Sequence, residues 1–275
     1  MGIFERSDEV RFGFGRNWRS FVRTVGEESV AQAEKGLSRL FPGGTLAGRR
    51  FLDIGCGSGL SMLAALRLGA ASAEGIDLDP DSVEAAQDLL SRHARGRAWS
   101  VRRMSVFDAG GASLGAQDIV HSWGVLHHTG DLWRAMDCAA ALVSPGGFFA
   151  FALYRRTPLC RLWTVEKRLY AQAPAFCQKA ARVAYEAAYL ASIAATGRNP
   201  RRYVAEYRGA RGMDWHHDVH DWLGGYPYES TEPGEVGAFL RRHGLEPERQ
   251  FLRAPVAFGL FGSHCDEYVA RRPAG

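Results

Sequence analysis

The sequence has few cysteines and no long apolar segment. Five cysteines in 275 residues are an odd number, and their wide spacing includes no CxxC pair, which argues against a disulfide scaffold or a zinc knuckle. No run of about 20 apolar residues is present, and the N-terminus lacks the hydrophobic region of a signal peptide. These absences predict a cytoplasmic protein with reduced thiols and no membrane partner.

Lysine is also scarce, so arginine supplies almost all of the positive charge. The formal net charge is +4, and the predicted isoelectric point is about 8.9. Arginine forms forked contacts with carboxylates and phosphates, and its excess therefore permits an anionic partner. The sequence shows neither a recognisable RNA-binding appendage nor an interleaved basic and aromatic stripe. We expect no nucleic-acid partner, and an RNA or protein acceptor is kept as the alternative.

Short apolar runs alternate with helical periodicity over the middle of the chain. The hydrophobic content of 46% and the charged content of 23% are those of an ordinary globular protein. Strand patterns lie at residues 49–55, 71–79, 99–106, 118–124 and 148–154, with helical patterns at 60–69, 79–94 and 131–143 and a turn at 144–147. This alternation predicts a parallel sheet with helices on both faces, and ligands bind such sheets beyond the carboxyl ends of the strands.

Residues 154–225 break the alternation, because they show helical periodicity without a low-complexity linker. We predict that they form a helical cap inserted after the fifth strand. A further helix at 232–244 and apolar stretches at 249–255 and 266–272 would complete the sheet. The predicted parts are an N-terminal helical lid at 1–48, a doubly wound, mostly parallel, seven-stranded α/β domain at 49–153 and 226–275, and the cap at 154–225.

A glycine-rich turn follows the first predicted strand, where residues 53–59 read DIGCGSG. Gly55, Gly57 and Gly59 permit a tight turn and the close approach of a ligand. The helix that follows would present its N-terminal amides to that ligand. A dinucleotide site has the spacing G-x-G-x-x-G. Here Asp53 precedes G-x-G-x-G, and its carboxylate would repel a pyrophosphate and attract an ammonium group.

This segment resembles the first motif of class I S-adenosylmethionine-dependent methyltransferases, and further motifs follow in the same order. GIDLDP puts Asp77 at the end of the second strand, where the family's acidic residue binds both ribose hydroxyls. SVFDAG puts Phe107 and Asp108 where the family contacts adenine. DIVHSWGVLHHTGD and LVSPGGFFAF match the fourth-strand motif and the turn and strand after it. The resemblance covers roughly residues 49–153.

The resemblance implies a Rossmann-like methyltransferase fold and S-adenosyl-L-methionine as the cofactor. An N-terminal helix folds over the cofactor in related enzymes, and this makes Trp18 a candidate to close the site. The predicted cofactor-binding residues are Asp53, Gly55, Gly57, Gly59, Asp77, Asp108, Phe107, Trp18 and Ser122. Two alternatives stay open: a binding protein that has lost transfer, and an enzyme in which another part of the cofactor reacts.

In this family the reactive methyl points at the carboxyl end of the fourth strand, where HSWGVLHH supplies several histidines. Histidine has an unperturbed pKa of about 6.5 and suits a general base for a hydroxyl or a protonated amine. His128, with His127 as the second candidate, is the predicted catalytic residue. The alternative for each histidine is plain packing or solvent exposure.

The segment MDWHHDVHDWLGGYPYES, residues 213–230, is dense in histidine, aspartate and aromatic residues. Similar segments occur in related methyltransferases, which suggests a loop of the substrate pocket. Histidines four apart would permit a metal site, but no third ligand is evident, and we predict no metal. The predicted substrate-binding residues are Trp123, His217, Tyr226 and Tyr228.

The leading interpretation is a methyltransferase that acts on a small molecule in biosynthetic or secondary metabolism. The cap would enclose the acceptor and exclude water. Arginines near the ends of the cap would favour an acceptor that carries a carboxylate or phosphate; they are Arg155, Arg156, Arg201, Arg202, Arg208 and Arg211. The alanine-rich helix at 180–195 suits burial in the cap or a homodimer interface.

Overall fold

The structure is a computed structural model that describes residues 10–110, 114–211, 214–253 and 257–275. The strands within these residues are β1 Arg50–Ile54, β2 Ser72–Asp77, β3 Trp99–Arg103, β4 Gln117–Trp123, β5 Val143–Tyr154, β6 Glu246–Phe251 and β7 Cys265–Arg271. They form one seven-stranded sheet in the order β3-β2-β1-β4-β5-β7-β6. Strands β1 to β5 pair in parallel, and β7 runs antiparallel to both β5 and β6. The predicted doubly wound, mostly parallel sheet is confirmed.

The helices alternate with the strands in the first half of the chain and then occur in succession. They are α1 Gly15–Val22, α2 Glu27–Leu40, α3 Leu60–Arg67, α4 Pro80–His93, α5 Leu132–Ala141, α6 Cys160–Gln172, α7 Ala175–Ala195, α8 Pro200–Arg211, α9 Trp215–Gly224 and α10 Pro233–Arg242. Asp79 caps α4 by accepting a hydrogen bond from the Asp81 amide, and Pro80 occupies the first turn. Local sequence signals therefore fix the start of this helix.

The core lies on both faces of the sheet. Phe51 and Leu52 are adjacent in β1 and fully buried, yet they belong to hydrophobic clusters on opposite faces, because strand side chains alternate. Met62 of α3 packs in the first cluster and Phe239 of α10 in the second. Burial on both faces is what a parallel sheet requires.

The predicted turn at 144–147 lies inside β5 instead of before it. Gly146 has a φ of 74°, and the pairing of β5 with β4 shifts register between Gln117 and Ile119. The chain therefore absorbs the turn as an irregularity within a longer strand. At the other end of the sheet, β6 is an exposed edge strand that starts before the predicted stretch 249–255, whose last two residues lie outside the described part.

Helices α6 to α9 lie between β5 and α10 in the chain and share a small core of their own. Tyr170, Trp215, Val219 and Leu223 form its buried cluster. The alanine-rich α7 contributes the half-buried Tyr185 and Tyr189 to this core, and Ile193 is its one buried residue among those described. No helix in the described ranges is long and apolar enough to cross a membrane.

Candidate active site

The turn between β1 and α3 consists of bare backbone at the carboxyl edge of the sheet. Gly55, Gly57 and Gly59 have φ angles of 72°, 52° and 76°, which L side chains rarely adopt. A Cβ on Gly55 would lie 2.4 Å from the side chain of Val125, in the loop after β4. Close packing and backbone conformation therefore both require glycine at this position, and the turn has the shape that the sequence predicts.

Asp77 ends β2 beside this turn. Its Oδ2 accepts a hydrogen bond from the Gly57 amide at 3.0 Å, and its Oδ1 accepts one from the Asp79 amide at 2.9 Å. Burial raises the pKa of Asp77 to about 6, and these two amides oppose the rise. Each carboxylate oxygen can accept more than one hydrogen bond. The residue can therefore accept hydrogen bonds from neighbouring hydroxyl groups of a ligand.

Phe107 and Asp108 lie in a short 3-10 helix after β3, at Val106–Asp108. Asp108 is exposed and Phe107 is half-buried. The guanidinium of Arg134 lies 4.7 Å from the centre of the Phe107 ring. A carboxylate and an aromatic ring thus stand side by side, one strand away from Asp77, as binding of an aminated heterocycle requires.

Helix α1 lies across the glycine turn. A Cβ on Gly57 would be 3.0 Å from the indole of Trp18. The Gly15 amide donates a hydrogen bond to Asp79 at 2.8 Å, which ties the start of α1 to the loop after β2. At its other side, Asn17 donates to Asp221 of α9 at 2.8 Å. The N-terminal helix therefore connects the turn with α9, which is the position that a lid would need.

Asp53 and Ser122 face protein partners in this structure. Asp53 accepts a hydrogen bond of 2.7 Å from Nδ1 of His121 on the neighbouring strand, and their exposed fractions are 3% and 2%. Ser122 is fully buried and donates its hydroxyl to the Ile54 carbonyl at 3.0 Å. Neither side chain presents open surface at the sheet edge, so their direct contact with a cofactor stays a prediction.

The histidine loop, residues 126–128, is a short 3-10 helix after β4. Nδ1 of His128 donates a hydrogen bond of 2.6 Å to the Pro227 carbonyl. This contact fixes the tautomer and leaves the lone pair on Nε2. Burial lowers the pKa of His128 to about 4, so the ring is neutral at physiological pH.

His127 is fully buried, and neither of its ring nitrogens has a hydrogen-bond partner among the described residues. Its ring lies 4.1 Å from that of Tyr154 and 4.4 Å from that of His128. Burial lowers its pKa well below the usual value, and the positive charge of Lys167 adds to this. A buried polar group without a partner costs about 1–3 kcal/mol, which marks the loop as a functional candidate.

Lys167 of α6 is a further polar residue at this place, and the sequence analysis did not single it out. It is fully buried, and its Nζ donates to the Trp222 carbonyl. The same nitrogen lies 3.5 Å from the centre of the Trp222 ring and 5.2 Å from that of Tyr228. Burial lowers its pKa to about 7, with Glu166 opposing. Its spacing from Trp163 and Tyr170, four and three residues, is the signal that could have found it.

The four predicted substrate-binding residues occupy different places. Tyr228 is buried, and its hydroxyl lies 2.7 Å from Ser263 Oγ. Its ring lies 5.3 Å from that of Tyr154, which also contacts the histidine loop. Tyr226 is half-buried, and its carbonyl accepts a hydrogen bond from the Phe12 amide at 3.0 Å. Tyr228 is thus joined to the histidine loop through Tyr154.

Trp123 and His217 lie apart from that group. Trp123 is 37% exposed and stacks on His121 with ring centres 5.6 Å apart. His217 contacts Asp214 at the start of α9, and its carbonyl accepts a hydrogen bond from Asn17. Among the described residues, no ring contact joins either side chain to Tyr228 or the histidine loop.

The remaining histidines of α9 each have a separate partner. Nδ1 of His216 lies 2.9 Å from Glu186 Oε1, and Nδ1 of His220 lies 2.8 Å from the Tyr170 hydroxyl. Within the described part of the chain, no group of three or more histidine, cysteine, aspartate or glutamate side chains is arranged to hold a metal ion.

Three of the six cap arginines that suggested an anionic acceptor are engaged in ion pairs. Arg155 pairs with Asp266, Arg156 with Glu235 and Arg202 with Glu206. The side chains of Arg208 and Arg211 lie outside the described part of the structure, and Arg201 is exposed on α8. The three paired arginines therefore carry little information about the acceptor.

Comparison with known proteins agrees with the fold. The family model described as a methyltransferase domain matches residues 25–225. The ubiquinone biosynthesis O-methyltransferase of Bordetella avium is 34% identical over 122 residues, which is 44% of this chain and 49% of that protein. The ribosomal protein L11 methyltransferase of Erwinia tasmaniensis is 52% identical over 48 residues, 18% of this chain and 16% of that protein. The chain thus spans less than half the length of these curated relatives.

Solved structures share the fold over most of the chain. Magnesium protoporphyrin IX methyltransferase from Synechocystis PCC 6803 with bound SAH has 16% identity and a TM-score of 0.54, covering 89% of this chain and 83% of its own. N-methyltransferase NodS from Bradyrhizobium japonicum WM9, in complex with S-adenosyl-L-homocysteine, has 15% identity and a TM-score of 0.52, covering 88% and 87%.

The donor set at the sheet edge fits S-adenosyl-L-methionine, because a bare glycine turn, the Asp77 and Asp108 carboxylates and the Phe107 ring lie at neighbouring strand ends. The family model covers more than half of the chain. The chain therefore belongs to the methyltransferase-domain family, as a class I S-adenosylmethionine-dependent methyltransferase.

Proposed function

We propose that this chain methylates a small molecule enclosed between the carboxyl ends of β4 and β5 and the cap, residues 154–225. The observation that carries the proposal is the aromatic packing of the cap onto the end of β5. The ring of Trp222 in the cap lies 5.3 Å from that of Tyr154, which touches the histidine loop. The ring of Tyr228, just after the cap, lies at the same distance from Tyr154. A site with such walls suits a small, partly apolar acceptor.

Each part of the chain has its own role in this proposal. Residues 49–153 and 226–275 form the catalytic domain, and residues 1–48 supply the lid. The cofactor supplies an electrophilic methyl group when bound. Trp18 covers the glycine turn and keeps water from it, and Asn17 ties the lid to α9.

His128 is the proposed proton acceptor. The Pro227 carbonyl holds Nδ1–H and orients the ring, so Nε2 can take the proton of a hydroxyl or amine acceptor. A neutral ring with a pKa of about 4 is a weak base. Positioning of the acceptor against the methyl group therefore supplies most of the rate.

The names of the relatives support a small acceptor. Ubiquinone biosynthesis O-methyltransferase and magnesium protoporphyrin IX methyltransferase are named for small molecules. The methyltransferase named for ribosomal protein L11 matches over 48 residues only. That short match favours a shared cofactor site over a shared acceptor, so a protein acceptor is the second candidate.

The test uses methyl-labelled S-adenosylmethionine and an extract of the source organism. Products are separated by size after the reaction, and S-adenosylhomocysteine is quantified. We expect label in the low-mass fraction, and no label with an Asp77→Ala variant as the control. Label in protein or RNA would overturn the small-molecule proposal, and cofactor loss without S-adenosylhomocysteine would indicate different chemistry at the sulfonium.

A further inference from the structure

A cleft of about 470 Å³ opens between the N-terminal segment and the cap. Residues 11–13, Arg16 and Asn17 line one side. The other side is formed by the end of α6, by the start of α7 with Gln178, and by His220 of α9. The volume is that of a small-molecule site, and the cleft is separate from the glycine turn.

The charge of this cleft is positive. Arg11 and Arg16 belong to its lining, and no carboxylate is present among its described lining residues. Arg182 of α7 and Arg16 are both close enough to lower the pKa of His220, although burial is the larger cause. The His220 pKa of about 4 keeps that ring neutral, and the charged side chains among the described lining residues are those of Arg11 and Arg16.

The cleft is adjacent to the histidine loop. Nη2 of Arg11 donates a hydrogen bond of 3.2 Å to the carbonyl of Thr129, the residue after His128. The Phe14 ring lies 5.4 Å from that of His128 and 4.9 Å from that of Phe12. The segment that lines the cleft therefore also touches the proposed proton acceptor.

We propose that this cleft binds an oxyanion group, carboxylate or phosphate, of the acceptor, and that Arg11 and Arg16 determine this specificity. Guanidinium groups donate forked, charge-assisted hydrogen bonds to such groups. The inference rests on the proposed function, because it concerns the acceptor of the same reaction. The anion would thus be bound where the lid meets the cap, and not by the ion-paired arginines of the cap.

The probes are inorganic phosphate and acetate, added at constant ionic strength to the full chain. Arginine Nε–H signals are followed by two-dimensional NMR and assigned through the variants Arg11→Gln and Arg16→Gln. We expect saturable shifts of the Arg11 and Arg16 signals. The probe that saturates at the lower concentration, phosphate or acetate, shows which oxyanion the cleft prefers. Arg16→Gln should weaken binding by about tenfold or more, since each such contact is charge-assisted.

The matched control is Arg201→Gln, which removes the same charge from an exposed position on α8. It should bind phosphate like the wild type. Shifts that do not saturate, or an equal loss of binding in Arg201→Gln, would overturn the assignment.

A second measurement separates this inference from the proposed function. Phosphate binding by Arg11 and Arg16 together with label transfer to protein would refute the small-molecule proposal and leave the cleft in place. Transfer to a small molecule with an unchanged KM in Arg11→Gln and Arg16→Gln would refute the role of the cleft and leave the proposed function in place.

Discussion

The carboxyl group of Asp77 titrates in a range that a binding experiment can reach. Its pKa is raised to about 6 by burial, and the carboxylate is the form that accepts hydrogen bonds from two hydroxyls. Affinity for S-adenosylmethionine should therefore be constant above that pKa and fall by up to about tenfold per pH unit below it. Calorimetry between about pH 5 and about pH 8 measures this dependence.

An Asp77→Asn variant supplies the control, because its side chain does not titrate. We expect weaker binding without the acidic decline. A wild-type affinity that stays constant across the range, or a decline that persists in Asp77→Asn, would contradict the role of this carboxylate.

Titration of His128 should not change kcat near neutral pH. Its pKa is lowered to about 4 by burial, so the ring is already neutral where an ordinary histidine begins to lose its proton. With a hydroxyl acceptor, His128→Gln should reduce kcat by about 100-fold at all pH values above about 5. A change of the wild-type kcat with pH near about pH 6.5 that disappears in His128→Gln would show that the ring titrates normally.

At the scale of elements, the β1–α3 turn can be tested with two glycines of similar conformation. Gly57 and Gly96 have φ angles of 52° and 73°, but a Cβ meets Trp18 at the first and nothing within 4 Å at the second. Alanine should cost about 1 kcal/mol of stability at Gly96, from the backbone conformation alone, and more at Gly57, where Trp18 must also shift. Only Gly57→Ala should also lose S-adenosylmethionine affinity, measured by calorimetry; equal losses of affinity would mean that the turn has no special role.

Helix α6 carries a charge where a packed helix normally carries an apolar side chain. Lys167 is fully buried against the Trp222 carbonyl and ring. Methionine has a similar length without the charge, but Lys167→Met leaves the Trp222 carbonyl without its donor, so it should cost about 1–3 kcal/mol of stability. Turnover should fall about tenfold or more, because a proton-carrying group beside the histidine loop is lost.

Lys179→Met is the matched control, since Lys179 is exposed on the neighbouring α7. Thermal unfolding and label transfer are measured for both variants. A strong loss of stability in Lys167→Met with normal turnover would show that the lysine is structural.

Across the whole molecule, local patterns predicted the sheet well, but they did not reveal the burial of Lys167 or the ion pairs of the cap arginines. Strand and helix periodicity, together with Asp79 and Pro80 at the start of α4, are signals that short segments carry. The pairing of Arg155 with Asp266 spans 111 residues, and no local pattern reveals it. The burial of Lys167 depends in the same way on how α6 packs against α9.

The predicted site residues show the same difference between local signals and contacts of distant segments. Asp77 is the last residue of β2 and Gly57 belongs to the turn after β1, so both lie where the order of the motifs predicts. The prediction for Trp123 rests on its place at the end of β4, and that for His217 rests on a segment dense in histidine, aspartate and aromatic residues. Trp123 stacks on His121 at the end of β4, whereas the carbonyl of His217 on α9 accepts a hydrogen bond from Asn17 of the lid. No local pattern predicts either contact.

The most direct test of methyl transfer to a small acceptor divides the extract before the reaction. The low-mass and macromolecular fractions are each incubated with the protein and S-adenosylmethionine, and formation of S-adenosylhomocysteine is measured against the Asp77→Ala variant. The account predicts sustained formation with the low-mass fraction alone. Formation with the macromolecular fraction alone would contradict it.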